Sequence, residues 1–78
     1  MTPTEIRRLQ RAIARDPDAA DRVFRYLDRH GIRHTRRISG ATLARVCGVH
    51  PRTWRKWIGG DAPMPALAER VLLDVARV

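Results

Sequence analysis

Arg52, Thr53, Arg55 and Lys56 follow Pro51 within one short stretch and alternate with Trp54 and Trp57. Guanidinium, ammonium and hydroxyl groups at this spacing supply positive charge and hydrogen-bond donors, the chemistry that engages phosphate oxygens and the acceptor edges of bases. Other chemistries fit less well. Cys47 has no acid or base arranged with it as a nucleophile, and its helical face is apolar, so it reads as core filler. His30, His34 and His50 with Cys47 lack the paired spacing of a structural zinc site, and no metal is expected. Without an acid/base pair or a glycine loop to cradle phosphate, neither enzymatic activity nor a cofactor is expected.

The distribution of charge sharpens this reading. The 78-residue chain carries sixteen bases, all Arg except Lys56, against eight acids, a formal +8. Residues 1–32 hold seven bases and five acids, and residues 59–78 hold two bases and three acids. Between them, residues 33–58 hold seven bases and no acid. Like charges repel across a small domain, so an acid-free block predicts a surface that meets a polyanion. A general preference for Arg is the bland explanation, but the flanking segments share that preference and still carry balancing acids.

An apolar fraction of 44% is globular rather than disordered. The longest apolar run is three residues, so neither a membrane span nor a signal peptide is expected. A single cysteine excludes an internal disulfide and fits the reducing cytoplasm. The length allows one domain, and a core of this size supplies only about 3–5 kcal/mol, so pairing with a second copy would add useful stability.

The elements that must position these side chains are helices, four or five of them, with no strand pattern. Thr2-Pro3-Thr4-Glu5 reads as a capping box opening a helix that buries Ile6, Leu9 and Ile13, with Arg7, Arg8, Arg11 and Arg15 on a solvated face. Asp16-Pro17 ends it and starts a second, predicted to bury Ala20, Val23, Phe24 and Leu27 and to close at Gly31. Residues 32–38 show no period and read as a loop. Ser39 caps a third helix with Leu43, Val46 and Cys47 on one face, ended by Gly48. Pro51 opens the fourth and Gly59-Gly60 end it. After a short turn over residues 61–64, Pro65 begins a final helix predicted to bury Leu67, Val71, Leu72 and Val75. A second subunit could pair through Ile6, Leu9 and Ile13 or through the last helix around Leu73 and Val78.

The third and fourth helices are joined only by Gly48-Val49-His50, with the small Ala44 placed where they would cross. On a helical projection with Trp54 as origin, Trp57 and Ile58 share its side, whereas Arg52 and Lys56 fall about 160° and 200° away. Arg55 and Thr53 flank them. The tryptophans therefore belong to the core rather than to a base-stacking platform, and the opposite side presents donors. Arg52 is the first candidate for reading a base, because its planar fork can engage guanine bidentately, with Lys56, Arg55 and Thr53 beside it. Ser39, Thr42 and Arg45, His50 at the helix start, and Arg36 and Arg37 from the loop are candidates for phosphate contacts.

Leu43-Ala44, Cys47-Gly48-Val49, Arg52-Thr53-Trp54 and Trp57-Ile58-Gly59, followed by Pro63 or Pro65 and an apolar helix, resemble in this order the Cro-type, lambda-repressor-like (XRE) helix-turn-helix family. The resemblance runs from Ser39 to about Ala76, roughly half the chain. It departs at His50, where Ser or Asp is usual, and at Ser39-Gly40-Ala41, which replaces a Thr-Gln pair. It implies an all-α domain with an added N-terminal helix over residues 1–16, a helix-turn-helix over 39–59 and a C-terminal helix over 65–78. It further implies a sequence-specific double-stranded DNA-binding regulator, a homodimeric autorepressor on an inverted repeat, of a kind encoded by phages and mobile elements. No small-molecule ligand is expected, since no sensor domain is evident. The alternatives are an adaptor in phage assembly or packaging, with the basic face on an acidic protein, and a binder of structured RNA.

Overall fold

Thr2 and Glu5 form the reciprocal cap that opens the chain. Thr2 Oγ1 accepts from the Glu5 amide at 3.2 Å, and Glu5 Oε1 accepts from the Thr2 amide at 3.0 Å. The computed structural model describes residues 1–77, and its elements are five helices: α1 (Pro3–Arg15), α2 (Pro17–Arg29), α3 (Gly40–Val46), α4 (Pro51–Gly59) and α5 (Ala66–Ala76). The hydrogen bond from the Thr2 backbone, then that with its hydroxyl, holds the Glu5 carboxyl below its ordinary range. At the other end of α1, Asp16 serves two helices. Its amide donates to Ala12 O, while its Oδ1 accepts from the Asp18 and Ala19 amides at 3.0 and 3.3 Å. The chain thus turns from α1 into α2 within one residue.

The core joins all five helices. Ile6, Leu9 and Ile13 of α1 are buried within the chain, which leaves them unable to serve as a pairing surface for a second copy. In α2 the buried residues are Ala19, Val23, Phe24 and Leu27. The expectation of Ala20 is corrected to Ala19, because Ala19, Val23 and Leu27 repeat every four residues and Ala20 lies about 100° round from the first of them. Leu43, Ala44 and Val46 of α3 and Trp54 and Trp57 of α4 complete the centre, while Cys47 is half-buried.

α5 departs most from its expected face. Pro65 is its N-cap rather than its first residue, and Ala68, Leu72 and Ala76 point inward. Val71 and Val75 are half-buried and Leu67 is 73% exposed. Leu67 lies about 140° round the helix from Leu72, so the two cannot share one face. The small Ala68 and Ala76 suit close packing, and α5 lies against α2 and α3. Arg22 of α2 reinforces that contact, donating from Nε and Nη2 to Ala76 O at 3.1 and 2.7 Å. Met64, in the segment read only as a turn, is also buried. Val78, one residue proposed for pairing, lies outside the described residues.

Candidate nucleic-acid interface

The turn between α3 and α4 is built by Gly48. With φ at +73°, its amide donates to Arg45 O at 3.1 Å and the Val49 amide donates to Ala44 O at 3.0 Å. These two bonds satisfy two of the free carbonyls at the end of α3, and the left-handed backbone at Gly48 favours a residue without Cβ. His50 then opens α4, its Nδ1 accepting from the Arg52 amide at 3.0 Å. An imidazole therefore does the work of the more usual hydroxyl or carboxylate. With Nδ1 accepting, the hydrogen of the neutral ring sits on Nε2, where it can be donated outward.

α4 divides into two sides as its sequence predicts. Trp54 and Trp57 are 1% and 4% exposed, with their rings tilted against each other at 5.9 Å between centroids. Arg52, Arg55 and Lys56 are exposed and Thr53 is half-buried. His50, Arg52 and Thr53 share a recess of about 240 Å³ at the start of the helix. Arg55 lines a second recess, of about 290 Å³, against Gly40 and Ala41 of α3. Among the described residues, no carboxylate lies within ion-pair distance of Arg36, Arg37, Arg45, Arg52, Arg55 or Lys56. Six cations on this part of the chain thus keep their donors for another molecule.

The helix angle depends on a contact that the sequence reading passed over. A Cβ built on Gly40 would meet Trp54 Cδ1 at 2.7 Å and Nε1 at 2.8 Å. Only a bare Cα lets α3 approach the indole this closely, and the position of Trp54 fixes which way Arg52 and Lys56 point. Gly40 is the first residue of α3, directly after its N-cap Ser39, and a residue without Cβ at that position is the one sequence signal of this close approach. Trp54 Nε1 and Gln10 Oε1 are both buried without a hydrogen-bond partner among the described residues.

The candidates for phosphate contacts separate into two groups. Arg36, Arg37, Arg45 and His50 are exposed. Thr42 is not on this surface. It is 3% exposed, and its hydroxyl donates to Arg37 O at 2.6 Å. That leaves the Ser39 hydroxyl to donate to Thr42 Oγ1 at 3.1 Å while accepting from the Thr42 amide at 3.3 Å. A phosphate requires donors, and the Thr42 hydroxyl has already given its hydrogen to Arg37 O. The Thr42 hydroxyl holds the Arg37 backbone against the start of α3, and the Ser39 hydroxyl caps that helix.

His34 anchors the other end of the basic loop. Its ring stacks on Phe24 at 5.1 Å and 11°, Nε2 donates to Asp28 Oδ1 at 2.7 Å, and Nδ1 accepts from the Arg36 amide at 3.2 Å. Arg36, held with φ at +57°, lays its guanidinium over the same Phe24 ring, 5.3 Å from its centroid. The loop that carries Arg36 and Arg37 is therefore pinned at His34 and at Thr42. Cys47 Sγ lies 3.7 Å from Ala68 O, and burial raises its thiol pKa to about 11, which keeps it protonated at neutral pH.

Comparison of the chain with protein-family models, with curated proteins and with solved structures gave no match.

Proposed function

We propose that the chain is a sequence-specific double-stranded DNA-binding transcriptional regulator. α3 and α4 act as a lambda-repressor-like helix-turn-helix, with α4 in the major groove. The observation that carries this reading is the two-sided character of α4, with both tryptophans buried and Arg52, Arg55 and Lys56 exposed and unpaired among the described residues. A recognition helix requires this division: one side fixes its angle and the other brings donors to guanine O6 and N7 or to phosphates. Arg52 reads bases with Lys56, Arg55 and Thr53 beside it, while Arg36, Arg37, Arg45 and His50 hold the backbone. In this reading two copies bind an inverted repeat and repress by covering promoter DNA. With the apolar side of α1 inside the core, the pairing surface falls to α5, where Leu67 is exposed and Leu73 half-buried.

Selection of bound duplexes from a random pool tests the proposal. An enriched inverted repeat with half-sites about one helical turn apart is expected. Enrichment of a lone half-site would overturn the paired arrangement, and no enrichment at all would overturn sequence-specific recognition.

A further inference from the structure

A second concentration of arginines lies away from α4, where α2 meets the C-terminal end of α5. Arg22, Arg25, Tyr26, Arg29 and Arg77 line a cavity of about 380 Å³, which Val75 and Asp74 complete. Its size is within the range of small-ligand pockets, of order 300–1,000 Å³. No residue of α4 contributes to it, and α4 packs on α1 and α3 instead.

The charges here are poorly compensated by the protein. Arg25 pairs with Asp21 at 2.8 Å, but among the described residues Arg22, Arg29 and Arg77 have no carboxylate within ion-pair distance. Asp74 is the single acid on the lining. Guanidinium groups gathered round one concavity repel one another; Arg22 is tied to the end of α5 and Arg25 to Asp21, but Arg29 and Arg77 make no ion pair among the described residues that would offset the repulsion. Arg22 is also held in place. Its two bonds to Ala76 O fix the plane of the half-buried fork and leave Nη1 without a partner among the described residues. Fixed, planar donors of this kind match phosphate oxygens, and part of the ordering cost of binding is already met. Tyr26, packed on His30 with ring centroids 4.3 Å apart, adds an aromatic wall.

We infer that this pocket binds a phosphorylated small molecule, with the arginines on its phosphates. The phosphates could belong to a nucleoside polyphosphate or to an inorganic polyphosphate, and Tyr26 is the feature that would favour the former. The inference does not rest on DNA binding by α4.

Isothermal titration with ATP and, separately, with tripolyphosphate at one salt concentration tests it. Saturable one-to-one binding of at least one probe is expected. Arg29→Gln, an exposed position, should weaken that binding about tenfold, the loss of one charge-assisted contact, while the charge-matched Arg8→Gln on α1 leaves it unchanged. Circular dichroism melting of both variants establishes that they fold, which avoids relying on Arg22, whose removal also uncaps α5. ATP binding more tightly than tripolyphosphate assigns the base to Tyr26, and equal affinities assign the site to phosphate alone. Absence of saturable binding by either probe overturns the inference, as does an equal loss in Arg29→Gln and Arg8→Gln. So does a variant Arg29→Gln that is deficient only on duplex DNA, which would make this groove part of a duplex surface.

Discussion

Gly40 and Trp54 decide how the basic side of α4 is presented. An alanine methyl at position 40 would sit 2.7 Å from Trp54 Cδ1, so the indole or the start of α3 must move. Alanine also favours a helix more than glycine does, by up to about 1 kcal/mol in a helix interior and by less at this first position of α3, and the prediction rests on which effect is larger. Trp54 is 1% exposed and its ring lies against that of Trp57, so moving it disturbs the core and overpacking prevails. Gly40→Ala is expected to destabilise the fold by about 1–3 kcal/mol in chemical denaturation despite its better helix propensity. A neutral or stabilising result would mean that the contact is loose and the angle of α4 is set elsewhere. Thr42 gives the complementary lesson. Its type and position in the basic block suggest a surface contact, yet its hydroxyl is turned inward onto Arg37 O. Nothing local distinguishes a threonine that faces a phosphate from one that ties down the preceding loop.

At the scale of the elements, what could be read from the sequence was whatever is local. The cap at Thr2 and Glu5, the double role of Asp16, and the stops at Gly48 and Gly60 depend on neighbours within a few residues, and the helices begin and end there. The facing of α5 was not legible in the same way. A face of large residues was expected, but α5 turns two alanines inward and leaves Leu67 outside, because its contact with α2 and α3 favours close approach over bulk. The stacking of His34 on Phe24 joins a loop to a helix ten residues earlier, and no periodicity marks it. The cap on α1 carries its own prediction. Because the Glu5 pKa is lowered in the folded chain, its contribution is present above the ordinary value of 4.5 and is lost as pH falls through the folded value. The difference in melting temperature between the wild-type chain and Glu5→Ala is therefore expected to be larger at neutral pH than in acid. A difference that stays constant across that range would separate the cap from the carboxylate charge.

For the molecule as a whole, the separation of charge matters more than its total. The longest dimension is 30 Å, shorter than one turn of duplex, about 34 Å, so under the proposed function one chain would cover one half-site at most. The acid-free block supplies α4, the end of α3 and the pinned loop, so its cations belong to neighbouring parts of the fold. In the proposed reading, the arginines of this pinned loop would act on phosphates without reading sequence. Arg37→Ala is thus expected to weaken binding to all duplexes alike and to flatten the dependence of affinity on salt by about one unit of logarithmic slope. An unchanged slope would remove Arg37 from the interface. The adaptor and RNA alternatives are separated at this scale too, since a basic surface meeting an acidic protein or structured RNA should not favour one duplex sequence over another.

The most direct test compares the sequence preferences of the wild-type chain and Arg52→Ala on the same random duplex pool. With the indoles inside and Arg52 in the major groove, the variant should lose about 1–3 kcal/mol on the preferred site and relax selection at one position of each half-site, while the rest of the motif persists. An identical motif from both proteins would contradict the assignment of Arg52 to base reading and, with it, the orientation of α4 on DNA.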